Sequence, residues 1–177
     1  MGLTDPFTGT LYLPDKAMPT GTSPVMLADG QTVAHVQYHF WTVRQRFGIL
    51  DPAGNLVAEG ISRGMMARTY EVTAPSGARV IELRLGFWRP IDGAVVTLAG
   101  GRTVEVLKTS IWSDRRFEFA AAGRPFARIT PTTGALSFHP DSYAFELTAP
   151  VMSALEAISL AQALRTAVRA MRAAASG

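Results

Sequence analysis

The segment from Val151 to Ala174 constrains the fold more than any other part of the chain. It contains neither glycine nor proline and is dominated by alanine, leucine, methionine and arginine, all strong helix formers. Pro150, just before it, is tolerated in a first helical turn, so the composition predicts a helix over about 151–174. Its early polar residues Ser153, Glu156, Ser159 and Gln162 step by three. Each residue turns ~100° about a helix axis, so a step of three drifts by ~60° and gathers no wide polar face. A helix apolar nearly all round must be buried on all sides. Leu155, Ile158, Leu160 and Leu164 point in different directions, and all are expected in the core. The most apolar stretch, Val151–Leu164, is shorter than the ~20 residues a bilayer span requires, and Glu156 interrupts it.

What surrounds that helix is written in a two-residue period. Ala34, Val36, Tyr38 and Phe40 share one face of an extended strand, with His35, Gln37 and His39 on the other. The first set is expected to face the core and the histidines to face out or line a rim. Further along, Phe47 and Ile49 precede the turn 51–55, with 56–62 beyond it. Tyr70 and Val72 precede 74–77, with 80–85 beyond. Val95–Leu98 precede 99–101, with Val104 and Val106 beyond. Phe117 and Phe119 precede Ala122-Gly123, with 126–129 beyond. Leu136 and Phe138 precede 139–142, with Tyr143, Phe145 and Leu147 beyond. Each unit is a strand, a tight turn carrying glycine or proline and a second strand, the signature of a β-hairpin. The aromatic starts Phe47, Tyr70 and Phe117 suggest a repeat of roughly 23 residues or its multiple, with Val95 near the intermediate position. Five or six hairpins give ten to twelve strands, and a sheet of that size removes its edges by closing. The expected fold is therefore mainly β, a barrel of about twelve antiparallel strands closed around the hydrophobic C-terminal helix.

Residues 1–30 read differently. Pro6, Pro14, Pro19 and Pro24 alternate with Gly9, Gly21 and Gly30, and no apolar period survives. The expected organisation is an irregular N-terminal arm over 1–30, either with a short strand at Thr10–Leu13 lying on the body or as a disordered tail, followed by a barrel domain over 31–177. Met1–Thr10 has neither the basic nor the apolar region of a secretory signal, and Pro6 stands where a myristoylation signal has Ser or Thr.

At 177 residues, with 47% hydrophobic and 18% charged side chains, the chain can bury a large core, roughly 70% of the surface it would expose unfolded. Cysteine is absent, which excludes disulfides, thiolate metal sites and cysteine nucleophiles and fits a reducing compartment. The net charge of +3 rests on arginine, since lysine occurs only at Lys16 and Lys108. That balance is modest and scattered, so nucleic acid is an unfavoured partner.

The run Arg46-Phe47-Gly48-Ile49-Leu50-Asp51-Pro52-Ala53-Gly54-Asn55-Leu56-Val57, followed by Thr69-Tyr70-Glu71-Val72, resembles the Tubby C-terminal-like superfamily, within it the LURP-one-related and phospholipid-scramblase-like branch. Ser142-Tyr143-Ala144-Phe145-Glu146-Leu147 running into Val151–Leu164 completes the likeness, which spans about Val33 to Arg172. The resemblance implies a twelve-stranded barrel with the terminal helix through its axis, and it implies phosphoinositide binding or action at membranes. It does not carry a site across. The chain has no cysteine cluster of the scramblase kind, no acidic calcium loop and no residue-by-residue match to the Tubby phosphoinositide-binding basic pair.

The chemistry of the residues narrows the rest. His35 and His39 lie ~13 Å apart on a strand, too far to share one metal ion. His139 reads as part of a turn, and Asp51, Asp92 and Asp141 sit in turns marked by Gly or Pro. No nucleophile elbow, phosphate loop, zinc or dinucleotide motif is present, so neither catalysis nor a cofactor or metal is expected. The candidate phosphate-binding residues are the arginines near strand ends, Arg44, Arg46, Arg63, Arg68, Arg115 and Arg116, because a guanidinium grips phosphate with paired hydrogen bonds. Arg165, Arg169 and Arg172 form a cationic stripe whose simplest role is solvation and opposition to the helix dipole. Trp41, Phe87, Trp88 and Trp112 either plug the barrel, the favoured reading, or meet a membrane interface. The expected function is a cytoplasmic, non-enzymatic domain that meets anionic lipid headgroups peripherally at the inner membrane face. The alternative is a scaffold that engages a protein partner through its N-terminal arm.

Overall fold

The turn at 51–55 shows in miniature how this sequence builds its sheet. Asp51 accepts hydrogen bonds from the Asn55 backbone amide at 2.8 Å and the Asn55 side-chain amide at 2.9 Å. Gly54, at φ 89°, takes the left-handed conformation that the reversal needs. The result is a hairpin of β4 (Arg46–Leu50) and β5 (Leu56–Arg63). The donors from Asn55, side chain first, hold the Asp51 carboxyl below its usual pKa and so keep it ionised.

A computed structural model of the protein describes residues 2–14, 21–39, 46–63, 68–87, 91–108, 116–132 and 142–175. The remaining strands are β1 (Gly9–Pro14), β2 (Thr22–Leu27), β3 (Thr32–His39), β6 (Thr69–Thr73), β7 (Arg79–Arg84), β8 (Ala94–Leu98), β9 (Thr103–Lys108), β10 (Phe117–Ala121), β11 (Arg124–Pro131) and β12 (Ser142–Leu147). Each pairs antiparallel with its neighbour in sequence, and β1 pairs with β12 to close the ring. The fold is a closed twelve-strand barrel with one C-terminal helix, α1 (Ala154–Ala175).

The alternation expected from the sequence sets the faces. Ala34 and Val36, Phe47 and Ile49, Tyr70 and Val72, and Phe117 and Phe119 are all buried inside. His35 is half-buried and His39 exposed, as the register of β3 requires. Tyr38 packs against the core, whereas Phe40 lies outside the described residues. Gly60 on β5 shows how tightly the inner face is filled: a Cβ there would stand 2.2 Å from the Phe47 ring.

Helix α1 fills the barrel. All residues from Ala154 to Val168 are buried, whichever way they point. It begins at Ala154, later than the expected 151, because Ser153 is a better N-cap than anything near Pro150. The Glu156 amide donates to Ser153 Oγ at 3.2 Å, and Glu156 Oε2 accepts from the Ser153 amide at 2.7 Å, a reciprocal capping box. The Leu155 amide, otherwise unsatisfied in a first turn, donates to Leu3 O at 2.8 Å. Among the described residues no helix is long and apolar enough to cross a membrane.

Two expectations require correction. The described part of the first thirty residues is not an irregular arm: β1 and β2 are strands of the ring, and the Phe7 amide donates to Met152 O at 3.0 Å beside the helix start. Prolines hid these strands. Pro14 ends β1, and Pro24 lies in the part of β2 that has no β1 partner, positions where a missing N–H costs little. The strand expected at Leu136 and Phe138 lies outside the described residues, and Ser142 opens β12 rather than standing in a turn. β11 pairs directly with β12, Pro131 opposite Tyr143, and β2 supplies the remaining strand of the twelve.

Candidate functional site

Antiparallel order sorts the strand ends into two groups. One rim carries Pro14, Thr22, His39, Arg46, Arg63, Thr69, Arg84, Ala94, Lys108, Phe117, Pro131 and Ser142, linked by pairs such as His39 with Arg46, Arg63 with Thr69, and Pro14 with Ser142. The other carries the tight turns. Helix α1 runs from the turn end to the rim. Glu156 accepts from the Ala99 amide at 3.0 Å and from Arg102 at 2.8 Å, while nine residues later Arg165 reaches Pro14 O and Tyr38.

Of the six arginines expected to bind phosphate, the structure describes four, and all four stand at this rim. Arg44 and Arg115 lie outside the described residues. Arg46 opens β4, exposed, 4.0 Å from Glu59 across the sheet. Arg63 ends β5 and pairs with Glu71 on β6. Arg68 precedes β6 and lies over the Phe87 ring, its guanidinium carbon 4.3 Å from the ring centroid. The Leu85 amide donates to Arg68 O at 2.9 Å, which fixes the two segments side by side. Arg116 is exposed immediately before β10. Arg84 joins them at the end of β7, paired with Glu82, which also holds Arg79 at 3.1 Å. The Arg46–Glu59 pair is exposed on both sides and contributes only about 0–1 kcal/mol, so Arg46 can trade its carboxylate for a phosphate at little cost, whereas the Glu71 and Glu82 carboxylates are largely buried.

The two ends differ in charge. Among the described residues the rim and its flanks carry Arg46, Arg63, Arg68, Arg84 and Arg116 against Asp92 and Glu118, with Glu59, Glu71 and Glu82 paired to three of those arginines further along the strands. The turn end carries Asp29 and Asp51 with Arg79, Arg102 and Arg124. Arginine is more frequent at the rim than at the turn end.

Inside the same rim sits a polar cluster that the sequence reading missed. Tyr38 donates from its hydroxyl to Gln162 Oε1. Arg165 Nη1 donates to the Tyr38 hydroxyl and to Pro14 O, both at 2.6 Å, and its guanidinium lies 5.2 Å from the Tyr38 ring centroid. Arg165 is only 7% exposed, which corrects the expectation that it belongs to a solvated stripe. The helix is still enclosed by strands at that turn, whereas Arg169 and Arg172 are exposed beyond it. The available signal was Gln162 and Arg165 three apart on a helix already argued to be buried. Phe87 does not plug the barrel, being 65% exposed; Trp41, Trp88 and Trp112 lie outside the described residues. No group of three His, Asp or Glu side chains among the described residues could hold a metal ion.

No protein-family model and no curated protein matches the chain. Among solved structures it is similar to an X-ray structure of a protein from Arabidopsis thaliana, with 13% identity and a TM-score of 0.62. The match covers 94% of this chain and 98% of that one. At that identity the likeness concerns the fold, a closed twelve-strand barrel with one C-terminal helix.

Proposed function

We propose that the chain is a non-catalytic Tubby-like domain of the LURP-one-related and scramblase-like branch that binds anionic lipid headgroups reversibly. It would do so in the cytoplasm, at the inner membrane face, through the rim bearing Arg46, Arg63, Arg68 and Arg116. The observation that carries this reading is the greater frequency of arginine at one end of the barrel than at the other. A basic residue near an anionic surface contributes about 1 kcal/mol, so four contribute about 4 kcal/mol. That corresponds to a dissociation constant of about 1 mM, the range of reversible peripheral contact. The alternative scaffold reading loses its free arm, because β1 and β2 belong to the barrel wall.

Co-sedimentation with phosphatidylcholine vesicles, with and without phosphatidylserine, tests the proposal. Binding should require the anionic lipid, be strongest at low salt and fade as the Debye length shortens. The charge-reversed Arg68→Glu/Arg116→Glu protein should stay in the supernatant. Failure of the wild-type protein to sediment with anionic vesicles at low salt would sink the proposal.

A further inference from the structure

Four large apolar side chains are exposed among the described residues, and the barrel separates them into two pairs. Met26 and Leu56 stand at the turn end, beside the turns that carry Asp29 and Asp51. Phe87 and Val95 stand at the rim. There the chemistry around them is reversed. Arg68 lies on the Phe87 ring at 4.3 Å, and Val95 lies opposite Arg84 in the β7–β8 ladder. An apolar side chain beside an ionised carboxylate is repelled from an anionic surface, whereas one beneath a guanidinium is drawn to it.

We infer that Phe87 and Arg68 form one bipartite membrane anchor, in which the ring enters the interfacial layer of an anionic bilayer while the guanidinium holds a lipid phosphate at its surface. The inference rests on the rim–lipid reading and deepens it. It assigns the part of the rim that touches the membrane and adds a contribution that salt does not screen. Three features support it. Phe87 is 65% exposed, far more than a core or plug residue would be. The stack on Arg68 and the Leu85–Arg68 backbone bond set ring and charge side by side, so little side-chain freedom remains to be lost on binding. An aromatic ring with a cation over its face suits the polarity step at a bilayer surface, with the apolar body inward and the charge among the headgroups.

The absence of cysteine makes a direct test simple. Phe87→Cys and, as the comparison from the turn end, Leu56→Cys each give one labelling site for an environment-sensitive fluorophore. With phosphatidylcholine vesicles containing phosphatidylserine, the label at 87 should shift to the blue and be quenched by spin-labelled lipid, while the label at 56 should not respond. In parallel, Phe87→Ala should weaken sedimentation about tenfold, as loss of a half-buried aromatic contact would. That loss should persist at high salt, where the effect of Arg68→Gln shrinks. Sedimentation with the label at 87 still in water, or with the label at 56 responding equally, would overturn the anchor while leaving the basic rim intact. No sedimentation of the wild-type protein at low salt would overturn the rim reading and the anchor with it.

Discussion

Tyr70 is the clearest case of a single side chain that the fold has placed at a cost. Its ring is 1% exposed on the inner face of β6, and its hydroxyl has no hydrogen-bond partner among the described residues. Burial disfavours the phenolate and pushes the pKa from 10.0 up to about 12. A raised pKa means that the contribution to stability is fully present below pH 10.0, where both states are protonated. It falls as the pH rises toward 12, by about 1.4 kcal/mol per pH unit, because the unfolded chain ionises first. Tyr70→Phe should therefore flatten the alkaline limb of a stability–pH profile. It should also raise stability at pH 7 by about 1 kcal/mol, since it removes an unsatisfied buried hydroxyl. Urea unfolding across the pH range measures both, and a less stable Tyr70→Phe protein at pH 7 would mean that the hydroxyl is bonded after all. Tyr70 could be assigned to the inner face from sequence, by its alternation with Val72. The missing partner could not, because it depends on what β5, β7 and the helix bring opposite.

At the scale of elements, helix α1 depends on how its first turn is tied down. Ser153 and Glu156 satisfy each other's amides, and Glu156 also receives the Ala99 amide and Arg102, although its carboxylate is almost wholly buried. Arg102 in turn donates to Val151 O, so one half-exposed arginine joins the turn after β8 to the segment that leads into the helix. Ser153→Ala removes one cap and should cost about 1 kcal/mol. Glu156→Ala leaves two amides and a guanidinium without their acceptor and should cost about 3 kcal/mol. Thermal unfolding of the two variants tests the order, and the reading fails if Glu156→Ala is the milder change. The Ser-x-x-Glu spacing was visible in the sequence as a start signal. The drift of its polar residues drew attention instead to the absence of a polar face, and the helix was expected three residues too early.

At the scale of the whole molecule, barrel and helix are one core. Strand interiors such as Val36, Ile49, Ile81 and Phe145 share one buried cluster with Leu155, Ile158, Leu160 and Leu164, and neither set has another place to be buried. Replacing one such Leu or Ile by Ala typically costs ~2–5 kcal/mol, against a total stability of ~5–15 kcal/mol. A chain ending at Pro150 loses every helix contact at once and should be insoluble or unfolded. Expression of residues 1–150, with solubility and thermal unfolding compared to the full chain, decides the matter. A soluble, monomeric product with a cooperative transition would show that the helix is dispensable to the core.

Periodicity alone determined the class of fold. A two-residue alternation punctuated by turn residues can only bury one face of a sheet, and a helix without a polar face can only be buried on all sides, so a barrel around a helix satisfies both. Those are local properties, readable wherever the pattern is long enough. They failed at β1 and β2, where prolines break the pattern and pairing with β12 and β3 supplies what local sequence does not. The site lay further from reach. Arg46, Arg63, Arg68 and Arg116 could each be placed near a strand end from sequence, but only the antiparallel ring decides that those ends lie on one rim. The stack of Arg68 on Phe87 and the burial of Arg165 against Tyr38 are contacts across 19 and 127 residues of sequence. Such contacts exist only once tertiary packing has brought separate elements together, because electrostatics and packing act through space rather than along the chain.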